Sequence, residues 1–467
     1  MKNVREVRVK PAALLSLLVA VGVGCQRSAS TSGSSAGTAI AGITSQVQQV
    51  NHVVVIYLEN HSFDNLYGEF PGANGLTAPL ATHTQTDSNG KTYKYLPQPI
   101  NTGASPPAPD PRFPWNLKNG PFCIDDYVTP DQEIPDLVHR FYQEQMQIHS
   151  GMMDRFAAVS DAAGLSMGYY HTADLPLAQE AANYILCDNF FHAAFGGSFL
   201  NHQWLIAAAS PRFPNAPPSI VAQADPNNNM TKDGQVDPYG YVINTSYTVN
   251  TPHPANVTTA TLVPNQTHAT IGDRLNDANV SWAWYSGGWN DAVAGNPDKL
   301  FQFHHQPFAY FANYADGTPG RAAHLLDEDD FVTAAQSGTL PSVSFVKPLG
   351  NENEHPGYAN ISSGENHAES LINAVRNGPN WQDCLIIVTY DEHGGFYDHV
   401  QPPIFDYFGP GLRVPAIIIS PFVQQGIVDH TLYDTTSILA FIELRWGLPS
   451  LTGRDANANP LSGVFPH

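Results

Sequence analysis

Acidic, amide and histidine side chains follow three strongly apolar segments of the sequence. Glu59 and Asn60 come directly after VNHVVVIYL, Asp391 and Glu392 come directly after CLIIVTY, and His355 follows SVSFVKP after a short turn. The first two pairs supply hard oxygen ligands, and histidine can move a proton near neutral pH. The pattern indicates a chemical site at the ends of these segments, although Asp, Glu and Asn are also ordinary loop residues.

A serine stands between a glycine pair and a helix-like run. The order is Gly196-Gly197-Ser198, followed by FLNHQWLIA. Two glycines permit a sharp turn that leaves backbone N–H groups free for an anion, and the helix dipole would stabilise a developing alkoxide on Ser198. Ser198 is therefore a candidate nucleophile. The structural alternative is a helix N-cap, for which serine is a preferred residue.

The apolar segments predict the elements that must position these side chains. Runs rich in Val and Ile without polar alternation are typical of strands covered on both faces, as in a parallel α/β sheet, where ligands bind beyond the carboxyl ends of the strands. We predict strands at 50–58, 342–348, 384–390 and 414–420, a short strand at 184–187, a buried strand at 282–285, and helices at 175–184 and 368–376. The segment 211–270 is predicted to be a loop-rich insertion with a hairpin near 239–249.

Composition narrows the class of protein. The 467 residues include 21 Lys and Arg against 42 Asp and Glu, which gives a net charge of −21 and opposes binding to nucleic acid. Charged residues make up only 13%, and 37 Gly and 38 Pro indicate long connections. Cys123, Cys187 and Cys384 are too few and too scattered for a disulfide scaffold.

The N-terminus has the pattern of an export signal. Four basic residues precede an apolar run that is shorter than a membrane span. We predict a signal peptide over 1–24, a flexible linker over 25–46 and one catalytic domain over 47–467. Cys25 is either a lipidation site, the only membrane contact expected, or is removed by cleavage further on. The predicted location is periplasmic, secreted or lipid-anchored at the cell envelope.

Six ordered motifs give the chain a resemblance to a known family. They are ENHSFDNLYG at 59–68, MGYY with DLP at 167–176, CDNFF at 187–191, GGSFLNH at 196–202, NEHP at 353–356 and YDEHGGFYDHV at 390–400. The chain resembles the bacterial phosphoesterases that include phospholipases C and acid phosphatases, which belong to the alkaline-phosphatase-like α/β superfamily. This resemblance implies a mainly parallel sheet sandwiched by helices, with loop-rich insertions. GGSFLNH and HHQPF are closer to the acid phosphatase branch.

The resemblance also implies roles for individual residues. One divalent metal ion, of unknown identity, would be held by Glu59, Asn60, Asp391 and Glu392, and Ser198 would be the nucleophile. Histidines around the phosphate would be His139, His304, His305 and His355. His149 competes with His139 for its place, and His202 stands where the phospholipase branch has Arg. We leave Lys347 outside the predicted site, because it could face phosphate or pair with a carboxylate.

The leading functional hypothesis is an exported, metal-dependent acid phosphatase. It would hydrolyse phosphomonoesters through a phosphoserine, and imidazolium donors would favour a mildly acidic optimum. One alternative is a phospholipase C that cleaves phospholipid phosphodiesters with the same core. A second alternative, from another class, is a catalytically inactive surface-binding lipoprotein. The sequence leaves the oligomeric state open.

Overall fold

The computed structural model describes residues 46–77, 83–225 and 230–465. The predicted signal peptide, Cys25 and the predicted linker up to residue 45 lie outside these described residues. Within the described part of the chain, no helix combines the length and the apolar character needed to cross a membrane. The described residues share one hydrophobic core.

An eight-stranded sheet carries the candidate site. Its strands are β1 (His52–Leu58), β2 (Ile185–Cys187), β3 (Trp282–Ser286), β4 (Leu325–Asp327), β5 (Val343–Lys347), β6 (Cys384–Tyr390), β7 (Ala416–Ile419) and β8 (Ile427–Asp429). Their order is β4-β3-β5-β1-β6-β7-β2-β8. Every residue of β3, β5, β6 and β7 is buried. Because successive side chains point to opposite faces, the sheet is covered on both faces, as predicted.

Helices lie in the connections between strands and, in the case of the last two, after β8. They are α1 (Phe63–Tyr67), α2 (Phe141–Ile148), α3 (Phe156–Val159), α4 (Pro176–Asn183), α5 (Ser198–Ala207), α6 (Ile271–Asp277), α7 (Trp289–Val293), α8 (Pro319–His324), α9 (Glu328–Ser337), α10 (Ile361–Arg376), α11 (Thr435–Trp446) and α12 (Gly453–Asn457). The predicted helices at 175–184 and 368–376 correspond to α4 and to the second half of α10. Helix α9 packs against β3, β4 and β5, and α4 packs against β2 and β7.

The sheet is mainly parallel, with one exception. Strand β7 runs antiparallel to both of its neighbours, β6 and β2. An antiparallel neighbour needs no crossover, so residues 391–415 leave the carboxyl end of β6 and enter β7 from the same edge of the sheet. The whole connection is thereby kept at the edge where the candidate ligands lie.

The insertion over 211–270 is largely irregular, as predicted, but its hairpin was wrongly placed. Residues Gln223–Ala224 and Met230–Lys232 form a short antiparallel pair, whereas 239–249 contributes only isolated bridges. Within 239–249, Asn244 bonds to Phe141 and Thr248 to Ala309, and a local pattern does not reveal such long-range contacts. The three later cysteines are buried and unpaired.

Candidate active site

Two neighbouring strands bring the predicted acidic pairs together. Leu58, the last residue of β1, pairs with Tyr390, the last residue of β6, so Glu59 and Asp391 begin adjacent loops. Asn60 has a left-handed backbone, with φ of 68°. The two loops interlock closely, since a Cβ added at Gly394 would lie 2.0 Å from the Asn60 carbonyl oxygen. A sheet edge therefore joins residues more than 330 positions apart.

Ser198 meets these loops from the first turn of α5. Its Oγ lies 3.0 Å from Glu59 Oε2 and 3.3 Å from Asn60 Oδ1. The helix N-cap is Gly197, and the Ser198 side chain makes no capping hydrogen bond. The capping alternative is therefore wrong, because the hydroxyl faces the acidic loops instead of the helix backbone.

The oxygen atoms around Ser198 outnumber the hydrogen atoms that could bond to them. The hydroxyl has one hydrogen for these two acceptors, and Asp391 Oδ2 and Glu392 Oε1 are buried without a hydrogen-bond partner. Buried acceptors without donors are costly unless a cation serves them. The donor set that the sequence predicted, Glu59, Asn60, Asp391 and Glu392, therefore fits a hard divalent ion.

Glu59 also has cationic and histidine neighbours. Lys347 Nζ lies 2.5 Å from Glu59 Oε1, His305 Nε2 lies 2.7 Å from the same oxygen, and His355 Nε2 lies 3.9 Å from Oε2. Lys347 is fully buried at the end of β5, and its Nζ donates a hydrogen bond to the Leu58 carbonyl. Lys347 thus pairs with a carboxylate, which is one of the two roles that the sequence left open. Its position at a strand end, beside β1, was the signal that could have placed it.

His202 and His304 both lie next to His305. The rings of His202 and His305 stack with centroids 4.9 Å apart, and His304 lies 4.7 Å from His305. His202 Nδ1 donates to the Ser198 carbonyl and lies 3.6 Å from Asp391 Oδ2. Sequence reasoning had noted His202 only as a departure from the family motif. Its spacing of four residues from Ser198 on one helix predicts this contact.

His139 reaches the site from the other side. Its Nε2 lies 3.4 Å from Asn60 Nδ2 and 3.7 Å from Glu392 Oε1. His149 instead pairs with Asp154, at 2.7 Å, so the structure groups His139 and not His149 with the acidic loops. A cavity of 210 Å³ opens beside His139, and its lining is Asp136, Leu137, Val138, His139, Arg140, Asp161, Gly197, Asn244 and Thr245.

Burial and charge move the pKa values of these groups in opposite directions. Burial raises the pKa of Asp391 and of Glu392 well above the usual range, and repulsion from neighbouring carboxylates adds to this. Burial also opposes ionisation of Glu59, but His305 and Lys347 outweigh it and hold the pKa of Glu59 low. Burial lowers the pKa of His305 to about 4.

A buried ionic network supports the loops from behind. Arg413 donates to both carboxylate oxygens of Asp398, at 2.9 and 3.0 Å, and to Asp64 Oδ1 at 3.0 Å. His399 lies 2.7 Å from the other oxygen of Asp64. These residues hold the loops in place, and none of them is a hydrogen-bond partner of Ser198.

Fold and site together define a class of protein: an α/β enzyme that presents a hydroxyl, buried carboxylates and imidazoles at the carboxyl edge of its sheet. The sequence model of the phosphoesterase family matches residues 50–449, and the chain belongs to this family. It is a phosphoric ester hydrolase.

Its relatives include phospholipases C. The chain is 25% identical over 465 residues to phospholipase C B of Mycobacterium tuberculosis (strain CDC 1551 / Oshkosh), covering 89% of this chain and 77% of that protein. It is 24% identical to the non-hemolytic phospholipase C of Pseudomonas aeruginosa, covering 86% of this chain and 54% of that protein. A solved structure of an alkaline phosphatase superfamily protein from Vibrio parahaemolyticus matches 70% of this chain and 73% of its own, with 9% identity and a TM-score of 0.34.

Proposed function

We propose that the protein is an exported, metal-dependent phosphatase that hydrolyses phosphomonoesters through a phosphoserine on Ser198. The observation that carries this proposal is the position of the Ser198 hydroxyl. It lies at the first residue of α5, 3.0 Å from Glu59 Oε2, and His305 and His355 lie near the same Glu59 carboxylate. A helix N-terminus binds phosphate oxygens through its free N–H groups, so the substrate phosphoryl group would be held directly above the hydroxyl.

The residues present can supply each proton transfer of the reaction. Ser198 Oγ loses its proton to the carboxylate of Glu59 and forms the new bond to phosphorus, while the bond from phosphorus to the ester oxygen breaks. An imidazolium donates a proton to the departing alkoxide, and His139 and His355 border the side of the site nearest the cavity. Water then attacks phosphorus and gives its proton to the histidine that protonated the alkoxide, while the bond from phosphorus to Oγ breaks and Glu59 returns the proton to Ser198.

A divalent ion would be held by Glu59, Asn60, Asp391 and Glu392, where it would lower the pKa of the serine hydroxyl and neutralise phosphoryl charge. Lys347 keeps Glu59 ionised, which preserves its capacity to bind a cation. The raised pKa values of Asp391 and Glu392 mean that metal binding must release protons from these side chains.

The lining of the cavity supports a compact polar substrate. Only Leu137 and Val138 among its lining residues have apolar side chains, and the guanidinium of Arg140, beside His139, pairs with Asp233. A phosphomonoester places a dianion in such a space without burying an alkyl chain. The rival function is a phospholipase C that cleaves phospholipid headgroups, and the sequence similarity to phospholipases C supports it.

Turnover of two substrates distinguishes the functions. We expect faster hydrolysis of an aryl phosphate than of phosphatidylcholine vesicles, and equal or faster lipid turnover would favour the phospholipase. Ser198→Ala should remove at least three orders of magnitude of the rate. Ser337→Ala, on the exposed end of α9, is the matched control and should retain full activity. Unchanged hydrolysis by Ser198→Ala would remove Ser198 from the mechanism and revive the binding-lipoprotein alternative.

Export and processing are part of the same proposal and are supported by the basic and apolar N-terminal sequence. Intact-mass measurement of the protein recovered from its native cell envelope or medium should show loss of residues 1–24. A mass increase that corresponds to acyl chains would place a lipid on Cys25. A chain that retains Met1 in that fraction would contradict the predicted signal peptide.

A further inference from the structure

A second cluster of possible metal ligands lies beneath the candidate active site. Glu144 on α2, His192 before the Ser198 turn and His393 after Glu392 are all fully buried. One ligand atom from each lies within 4.8 Å of the others. None of the three has a role in the phosphatase chemistry proposed above, and none was singled out as a ligand from the sequence.

The hydrogen bonds of the two histidines fix the direction of their lone pairs. His192 Nδ1 lies 2.9 Å from the Ala194 carbonyl oxygen, and His393 Nδ1 lies 3.2 Å from the Phe396 carbonyl oxygen. A carbonyl can only accept, so each Nδ1 carries the proton and each Nε2 of a neutral ring has a lone pair. Backbone carbonyls orient metal-binding histidines in this same way.

Both lone pairs face the Glu144 carboxylate. His192 Nε2 lies 3.0 Å from Oε1, and His393 Nε2 lies 3.8 Å from Oε2, yet neither Nε2 has a hydrogen-bond partner. The carboxylate is already oriented, because Oε1 accepts from the Leu412 N–H and Oε2 accepts from the Gly196 N–H. Two buried imidazole lone pairs therefore face a carboxylate with no donor between them, which is unfavourable unless a cation lies there.

Protons satisfy this arrangement less well than a metal ion does. One proton on one imidazole leaves the second Nε2 unpaired, and protons on both rings leave an excess positive charge between rings stacked 5.6 Å apart. A tetrahedral ion with bonds of about 2.0–2.1 Å holds its ligands about 3.3 Å apart. The measured 3.0 and 3.8 Å lie on either side of that separation.

Gly411 leaves the room that an ion would need. A Cβ added there would lie 2.2 Å from His192 Nε2 and 2.6 Å from Glu144 Oε1. Its φ is not in the left-handed region, so the need for glycine here is steric and not conformational. The backbone thus closes the cluster while leaving the space beside the converging atoms free of side chain.

From these observations we propose that Glu144, His192 and His393 form a second, structural metal site that takes a zinc-like divalent ion. Two imidazole nitrogens and one carboxylate suit a borderline cation such as Zn²⁺, in contrast to the oxygen donors around Ser198. The ion would join α2 to the turn before Ser198 and to the loop that carries Glu392. Its function would be to fix the separation of these two segments.

With a second site, the protein should bind two metal ions, and each single substitution should remove one of them. Full-length protein purified after exposure to Zn²⁺ and gel filtration should contain two ions per chain by elemental analysis. His192→Gln should contain one, Asp391→Asn should lose the other, and the surface control His171→Gln should retain two. Co²⁺ replacing the His192-dependent ion should show the intense visible absorption of a tetrahedral site, which Asp391→Asn should retain.

A second test locates the ion in the unmodified protein, so it does not require any variant to fold. Anomalous scattering at the zinc edge from crystals of the unmodified protein should give a peak between Glu144, His192 and His393. A single peak beside Ser198, or an unchanged metal content in His192→Gln, would overturn the second site and leave protons as the occupants of the cluster. The phosphatase proposal would be unaffected, because it fails only if Ser198→Ala retains activity.

Discussion

The ion pair between Lys347 and Glu59 gives the sharpest test of the site. Both side chains are fully buried, and Lys347 Nζ lies 2.5 Å from Glu59 Oε1. At an effective dielectric constant of ~20 this separation corresponds to an attraction of about 7 kcal/mol, much of which offsets the cost of burying the charges. Lys347→Met leaves Glu59 buried with a weaker counter-charge, and removal of one partner from a buried pair costs about 3–5 kcal/mol.

Urea unfolding of metal-free protein measures this loss directly. Lys347→Met should lower the free energy of unfolding by about 3–5 kcal/mol. The double variant Lys347→Met/Glu59→Gln should recover much of the loss, because the unpaired charge is gone. Lys118→Met, at an exposed position, is the control and should change stability by less than about 0.5 kcal/mol.

Divalent ions should restore the Lys347→Met variant more than they stabilise the unmodified protein. A cation that binds Glu59 takes over the missing counter-charge, and binding at a hundredfold excess over Kd adds about 2.7 kcal/mol. Two results would refute the reasoning: a Lys347→Met variant as stable as the unmodified protein, or a double variant less stable than the single one. Either would mean that Glu59 is not ionised in the folded protein.

Three further predictions concern pH, support and metal. Burial raises the pKa of Glu365, which also lies near Glu354, to about 8. In the folded protein Glu365 therefore keeps a proton that the unfolded chain releases near pH ~4.5. Stability should therefore fall by about 1.4 kcal/mol per pH unit between these values, and Glu365→Gln should flatten that slope in urea melts at pH 5, 6.5 and 8. Arg413→Met leaves Asp398 buried without its cationic partner and should lower the free energy of unfolding by about 3–5 kcal/mol. An unchanged melting temperature would contradict this. Exhaustive chelation should abolish phosphatase activity, and addition of a divalent ion should restore it. Full activity in metal-free protein would exclude a catalytic role for the ion proposed beside Ser198.

The sequence predicted the sheet well because burial on both faces leaves a local signature. The runs that became β1, β5 and β6 contain apolar residues at almost every position, so the pattern marks each strand to within two residues at either end. The direction of β7 had no such signature. Its residues are as apolar as those of a parallel strand, and only the course of the 391–415 connection decides that it runs antiparallel.

The site could be predicted where a residue follows a strand or belongs to a motif. Ser198 and the two acidic pairs meet these conditions, and the structure brings them together. Lys347 ends a strand as well, but a lone lysine in a sequence does not reveal which carboxylate it will face. Glu144 lies on α2 and belongs to none of the six motifs. Its contacts with His192 and His393 arise only from tertiary packing.

The balance of charge explains why an anionic protein can act on an anionic ester. Glu59, Asp391 and Glu392 outnumber Lys347 in the buried centre, and the chain as a whole carries a net charge of −21. Addition of a phosphate dianion to that centre would be unfavourable unless positive charge enters with it. Protons on the histidines and a divalent ion between the carboxylates are the two available sources. Substrate affinity is therefore coupled to metal and to acidity through the same few side chains, since each added cation lowers the cost of burying the next anion.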